Sequence, residues 1–214
     1  MKLTRNILIL ITILLLSACR SSWLAEWMTE SGEVLFQDDF STTEGSWSKA
    51  ENPEGVLDYY RTAFRITVNL PDYDFWTTPG LNFRDVHLEV DAGRLSGADD
   101  NRYGLVCRYQ DAQNFYFFII SSDGYYAIGK VEEGVRSLLG QEMMAFHPSI
   151  NLGMSPNHLR ADCIGDTLSL YVNDQPVAVA RDTGFSSGDV GLLAGSFDQA
   201  GVEILFDNFK VIKP

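Results

Sequence analysis

From Val34 to the C-terminus the chain is a succession of short runs of Val, Ile, Leu, Phe and Tyr, broken every few residues by Gly, Asp, Asn or Pro. No stretch of ten or more residues in this part shows helical periodicity. Such runs read as strands joined by tight turns. Candidate strands are 33–37, 58–68, 74–78, 83–92, 102–110, 114–121, 124–131, 135–140, 157–164, 167–172, 177–182, 189–196 and 202–212. Three hairpin turns are explicit: Ser122-Asp123-Gly124, Gly165-Asp166 and Asn173-Asp174. Gly, Asn and Asp tolerate the positive φ that these turns demand. Residues 140–156 are the least strand-like and read as a long loop. With no helices to cover a sheet, the strands must pack sheet on sheet. They are too many for a seven-stranded immunoglobulin-type sandwich. The expected fold is therefore all-β, a two-sheet jelly-roll β-sandwich. The first and last strands are expected to pair side by side and close an edge.

The N-terminus is of a different kind. Lys2 and Arg5 precede an apolar run, Ile7 to Leu16, and then Leu16-Ser17-Ala18-Cys19. A basic start, a short apolar run and small residues form an export signal. The run falls short of the ~20 residues of a stable membrane span. The tetrapeptide is similar to the lipobox of bacterial lipoproteins, which implies that Cys19 is lipidated and becomes the new N-terminus. The expected organisation is a signal peptide at 1–18, a tether at 19–32 and one domain at 33–214. The expected location is outside the cytoplasm, at the cell surface or in the periplasm, held to the membrane by the lipid. In the tether, Trp23, Leu24, Trp27 and Met28 fit one helical face, so a short interfacial turn and a flexible linker both remain open.

Lipidation of Cys19 leaves Cys107 and Cys163. Export places them where disulfides persist, and a Cys107–Cys163 bridge is expected, with two buried free thiols as the alternative. The whole chain carries a formal net charge of −13, and loss of Lys2 and Arg5 makes the exported part more acidic still. Such a charge disfavours nucleic acid and anionic headgroups as partners of the domain.

The segments FQDDFS, YRTAFRITV, LEVDA, NRYGLVCRYQDAQNFYFFIISSDGYYAIGKV, NHLRADCIGDTLSLYVNDQPV, GDVGLLAG and FDNFKV together resemble a concanavalin A-like lectin/glucanase domain. More narrowly, they resemble the laminin-G-like and 3-keto-disaccharide hydrolase-type domains of exported bacterial lipoproteins. The resemblance spans roughly 34–213. It implies a jelly-roll with one concave sheet face, on a fold known for binding or cutting carbohydrate. The glucanase branch uses Glu-x-Asp-x-x-Glu on a strand. Here Glu89 and Asp91 match, but Arg94 stands at the third position. A retaining glycosidase needs two carboxylates about 5–5.5 Å apart. The glucanase chemistry is therefore read as lost, and no catalytic residue is assigned.

Strand parity sorts the remaining candidates. It gathers Glu89, Asp91, Arg108, Tyr116, Arg160, Asp162 and Tyr171 on one face, with Trp76 as a rim aromatic. Charged groups beside rings suit a sugar; cross-strand charge balance is the competing reading. Asp38, Asp39 and Asp207 would converge if the terminal strands pair, which makes them a candidate calcium site, with Asp99-Asp100-Asn101 a second. His87, His147 and His158 are scattered, and no GxSxG, HExxH or phosphate loop is present. The first functional expectation is a non-catalytic, lipid-anchored domain that binds a glycan or another cell-envelope component. A glycoside-type hydrolase using Glu89 or Asp91 with an acid elsewhere, and a structural or protein-interaction module, are the alternatives. A groove with exposed rings on the concave sheet favours glycan; a filled face favours protein.

Overall fold

The computed structural model describes residues 31–214. Cys19, the leader and the tether as far as residue 30 lie outside the described residues. The described residues contain sixteen strands and no helix: β1 (Val34–Asp38), β2 (Ala50–Asn52), β3 (Gly55–Tyr60), β4 (Ala63–Val68), β5 (Asp74–Thr77), β6 (Val86–Ser96), β7 (Asn101–Asp111), β8 (Asn114–Ile120), β9 (Tyr125–Glu132), β10 (Val135–Leu138), β11 (Ala145–Phe146), β12 (Asn157–Ile164), β13 (Thr167–Val172), β14 (Gln175–Arg181), β15 (Asp189–Ser196) and β16 (Val202–Ile212). They form two antiparallel sheets. The first runs β14-β13-β12-β6-β16-β4-β3-β2, with β1 also on β16. The second runs β10-β9-β8-β7-β15-β5, with β11 also on β9.

Alternation builds the interior. Leu88 and Val90 of β6, Ile204 and Phe206 of β16 and Leu159 and Ala161 of β12 face Tyr103 and Leu105 of β7 and Tyr116 and Phe118 of β8; all are fully buried or nearly so. Cys107 of β7 and Cys163 of β12 are disulfide-bonded, so the bridge ties one sheet to the other through the core. An aromatic nest of Phe40, Trp47, Tyr59, Phe64 and Phe209 packs under the terminal strands. Trp47 also donates from its indole Nε1 to Asp38 Oδ2 at 3.1 Å, which makes it a core residue.

The explicit turns behave as their residues require. Ile164 pairs with Thr167 across Gly165-Asp166, and Val172 pairs with Gln175 across Asn173-Asp174, both of whose φ angles are positive. The run 58–68 is instead a hairpin, β3–β4. Tyr60 pairs with Ala63, and Arg61 takes a φ of 58° at the turn. Arg-Thr is no turn signal, so pairing with neighbours imposes this turn against local preference. The terminal strands do pair, from Val34↔Ile212 to Asp38↔Phe209. They close no edge, however. Strand β16 lies inside the sheet between β6 and β4, and β1 takes the part of β16 that β4 leaves free.

The bridge closes a loop with a sequence separation of 56 residues. Chain-entropy estimates for loops of that size give about 4 kcal/mol. The double variant Cys107→Ala/Cys163→Ala is expected to lose roughly that much stability in urea unfolding, and the wild-type protein under reductant to match it.

Candidate functional site

The structure divides the expected ligand face among four places. Glu89, Asp91, Arg160, Asp162 and Tyr171 do share the outer face of the first sheet, in register as Glu89↔Arg160, His87↔Asp162 and Arg160↔Tyr171. There Arg160, Asp162 and Asp91 are taken up by one another or by His87, His158 and Asn208. Arg160 donates Nε and Nη2 to the two oxygens of Asp162 at 2.8 and 3.0 Å, and its guanidinium lies over the Tyr171 ring. His87 Nδ1 is 2.6 Å from Asp162 Oδ1. Asp91 bonds His158 Nδ1 at 2.8 Å and accepts from Asn208 Nδ2 at 2.9 Å. The bidentate bond from Asp162 raises the already high Arg160 guanidinium pKa further. This is the charge-balance arrangement, built of pairs that leave few donors for a ligand.

Tyr116 is not on that face. It sits opposite Cys107 in register, so both point into the core. Its hydroxyl donates to Asp182 Oδ1 at 2.5 Å and accepts from the Phe185 amide at 3.0 Å. Burial, reinforced by Asp182, pushes the phenol up to about 12. Against a burial penalty, the hydrogen bonds from Tyr116, Gly184 and Lys130 hold Asp182 below the ordinary carboxylate value. Arg108 is also absent from the face. A bulge follows Cys107, Arg108 takes a φ of 50°, and parity fails there. Its buried guanidinium donates to the carbonyls of Arg84 and Phe185 and pairs with Asp85. Both residues hold the 182–188 loop and the adjoining core.

Trp76 belongs to the far face of the second sheet. The centre of that face is filled. Val106, Phe115, Phe117, Ile119 and Leu193 point away from the sandwich interior, yet they form a second buried cluster, roofed by Trp76, Tyr109, Leu138 and Met144. Trp76 lies 5.4 Å from Phe115, centroid to centroid, as roof and not as a free platform. Beside it, Arg102 donates Nε to Asp74 Oδ1 at 2.5 Å, and Arg136 pairs with the other oxygen. The Arg102 guanidinium, 5% exposed, rests on the Phe197 ring, and Arg136 rests on Phe117. Burial pulls Arg136 down, and Asp74 offsets part of that. Gly195 makes this pairing fit: a Cβ there would overlap the Asp74 carboxylate and the Arg102 guanidinium.

One part of the far face is open. A groove of about 410 Å³ is lined by Asp100, Ser121, Asp123, Tyr125, Met143, Met144 and Phe197. Tyr125 is 40% exposed. Burial, with repulsion from Asp123 and Asp198, raises Asp100 above the ordinary carboxylate value. Of these residues the sequence marks only Asp100 as a site candidate, within the second calcium run, and Asp123 only as a turn residue. The others converge from the starts or ends of β7, β8, β9 and β15 and from the 139–156 loop, which no local spacing announces.

The terminal acids are partly occupied. Asp38 accepts from the Phe40 amide and Trp47 Nε1, Asp39 from the Ser41 amide and Asp207 from the Asn208 amide. Burial, then Asp91 and Asp39, raises Asp207. Among the described residues no three His, Cys, Asp or Glu side chains are grouped so as to hold a metal ion.

The chain is similar in structure to a CBM66 carbohydrate-binding module from Bacillus subtilis, with a TM-score of 0.62 and 22% identity over 79% of this chain and 96% of that one. A Bacillus subtilis protein of unknown function with a galectin-like fold matches with a TM-score of 0.66 and 11% identity, over 86% and 97% of the two chains. A Bacillus licheniformis beta-glucanase matches with a TM-score of 0.58 and 13% identity, over 87% and 100%. No family model matches the sequence. No curated protein matches it either. The fold is thus the two-sheet jelly-roll shared by a carbohydrate-binding module and glycoside hydrolases.

Two variants test this geometry. Asp74→Ala leaves Arg102 buried without its carboxylate and is expected to cost about 3 kcal/mol in denaturant unfolding. Asp100→Asn acts oppositely. A carboxyl whose folded pKa is raised contributes stability below its unfolded value of 3.8 and loses it as pH rises through the folded value. The asparagine variant is expected to be slightly more stable than wild type at pH near 7, by about 0.5 kcal/mol or less, and equal to it well below 3.8.

Proposed function

We propose that this protein is an exported, lipid-anchored, non-catalytic binding domain whose groove on the far face of the second sheet takes a glycan. One observation carries the reading: the groove joins an exposed ring, Tyr125, and the half-buried Phe197 with two carboxylates, Asp100 and Asp123. Rings stack on the C–H faces of a sugar while carboxylates accept its hydroxyl protons. Jelly-roll neighbours that include a carbohydrate-binding module and a beta-glucanase support this, although a fold alone does not define a function. The hydrolase alternative built on Glu89 and Asp91 has less support. Those side chains are on the opposite side of the sandwich from the groove, and Asp91 is engaged by His158 and Asn208. The anchor at Cys19 rests on the sequence alone. Both described ends of the domain lie at one pole, where Val34 pairs with Ile212. The groove lies at the other, among the residues around Asn101, Ser121 and Ser196. A tethered domain would therefore hold its groove away from the membrane.

Thermal-shift and calorimetric titration against a panel of neutral and charged oligosaccharides, with and without calcium, tests the reading. A stabilising ligand is expected, with Tyr125→Ala and Asp123→Ala each weakening it by about tenfold. Glu89→Gln is expected to leave affinity unchanged. Calcium is expected to leave the melting temperature unchanged, since among the described residues no three His, Cys, Asp or Glu side chains are grouped to hold it. No shift with any glycan sinks the proposal. Cys19→Ser is expected to move the protein from the membrane fraction to the soluble one.

A further inference from the structure

The loop between β10 and β12 displays apolar side chains in a way the glycan reading does not use. Met143, Phe146 and Leu152 are 74%, 56% and 55% exposed. They are continuous with one another and with the groove. The Phe146 ring meets Tyr125 at 5.9 Å, a Cβ on Gly124 would touch both Phe146 and Leu152, and Tyr125 and Met143 share the groove wall.

Floppiness does not explain this exposure, because the loop backbone is tied down. His147 N donates to Gly124 O, Gly153 N to Ser122 O and Asn151 N to Asn157 Oδ1, all at 2.8–3.0 Å. Asn173 Nδ2 donates to Ser149 O at 2.7 Å. The loop already has its own buried anchor in Ile150. A fixed loop that fully buries one large apolar residue and presents four to solvent, Met154 with the three above, marks an interaction surface.

Charge selects the occupant. Asp100 and Asp123 border the apolar strip, and Asp198 is close enough to repel Asp100. No Lys or Arg lines the groove; the nearest basic group, Arg102, lies behind the Phe197 ring and is engaged by Asp74. A bilayer with anionic headgroups would be repelled. A second copy of this chain would bring its own strongly acidic net charge to the acidic border. We propose that this strip, Tyr125, Met143, Phe146 and Leu152 with its acidic border, docks a segment of a partner protein that combines apolar and basic side chains. The proposal does not rest on the glycan reading; it shares Tyr125, Asp100 and Asp123 with that groove and adds Phe146 and Leu152, which the groove does not use, so the two ligands would compete. Apolar anchors would fill the strip, and Lys or Arg would meet Asp100 and Asp123.

The test uses the full chain and a fluorescent peptide of about four helical turns, with leucines on one face and lysines on the other. Its scrambled counterpart, a glutamate-for-lysine version and anionic phospholipid vesicles serve as comparisons. The leucine/lysine peptide is expected to bind, and more weakly as salt rises. Phe146→Ser and Leu152→Ser, both at exposed positions, are expected to weaken it by about tenfold with melting temperature unchanged. Asp123→Asn is expected to weaken it and flatten the salt dependence. Val179→Ser, at an equally exposed apolar site on β14, is expected to leave it unchanged. The proposal is overturned by absence of binding, by equal binding of the scrambled peptide, or by equal binding to all variants. It is also overturned if vesicles or an oligosaccharide, and not the peptide, lose binding with Phe146→Ser.

Discussion

The apolar contact between the two sheets decides which side of every strand is available for anything else. Leu88, Val90, Ile204 and Phe206 on one sheet and Tyr103, Leu105, Tyr116 and Phe118 on the other must all point inward together. A shift of one residue in any of these strands would expose its core set. The Cys107–Cys163 bridge joins β7 to β12 at this contact, so the registers of both sheets are referred to one point. Polar groups then go where the interior leaves room: to the outer face of the first sheet, to the rim of the second and to the poles.

The two outer faces use their charges differently. On the first sheet, Arg160, Asp162, His87, Asp91 and His158 form closed pairs. A ligand there would have to break a pair to gain a hydrogen bond, and it would gain little. On the second sheet, the centre is sealed by its own apolar cluster under Trp76, and the Asp74–Arg102–Arg136 group is also self-satisfied. The groove near Tyr125 differs from both, because there Asp100 and Asp123 stand beside exposed apolar side chains. A site that is less stable without a ligand is where binding energy can be recovered.

Much of this was legible along the chain. The strand runs, the Gly165-Asp166 and Asn173-Asp174 turns and the sandwich follow from local pattern, because alternation and turn chemistry act over a few residues; the disulfide was expected from the cysteine count, and the structure makes it. The parity of β6, β12 and β13 was also readable, so Glu89, Asp91, Arg160, Asp162 and Tyr171 do share a face. Parity failed for Arg108, where a bulge inserts an extra residue and turns the side chain inward. For Tyr116 it failed because NFYFFII is apolar or aromatic at every position after Asn114, and alternation carries no information when both faces are buried. Phe115 and Phe117 occupy the outer side in its place. The hairpin at Arg61-Thr62 was hidden for a related reason: long-range pairing forces a conformation that those residues do not favour.

By itself the sequence determined the class of fold and, through its cysteine count, pointed to the Cys107–Cys163 bridge, since alternation, turn chemistry and residue counts need no knowledge of tertiary contacts. Tertiary structure alone decided the site. Asp100, Asp123, Tyr125, Met143 and Phe197 come from segments far apart in the chain, and no short-range rule joins them. They meet because antiparallel pairing brings the ends of β7, β8, β9 and β15 to one pole. Whether a carboxylate serves a pair or awaits a ligand depends on what stands within hydrogen-bonding distance, and that is a property of three-dimensional packing.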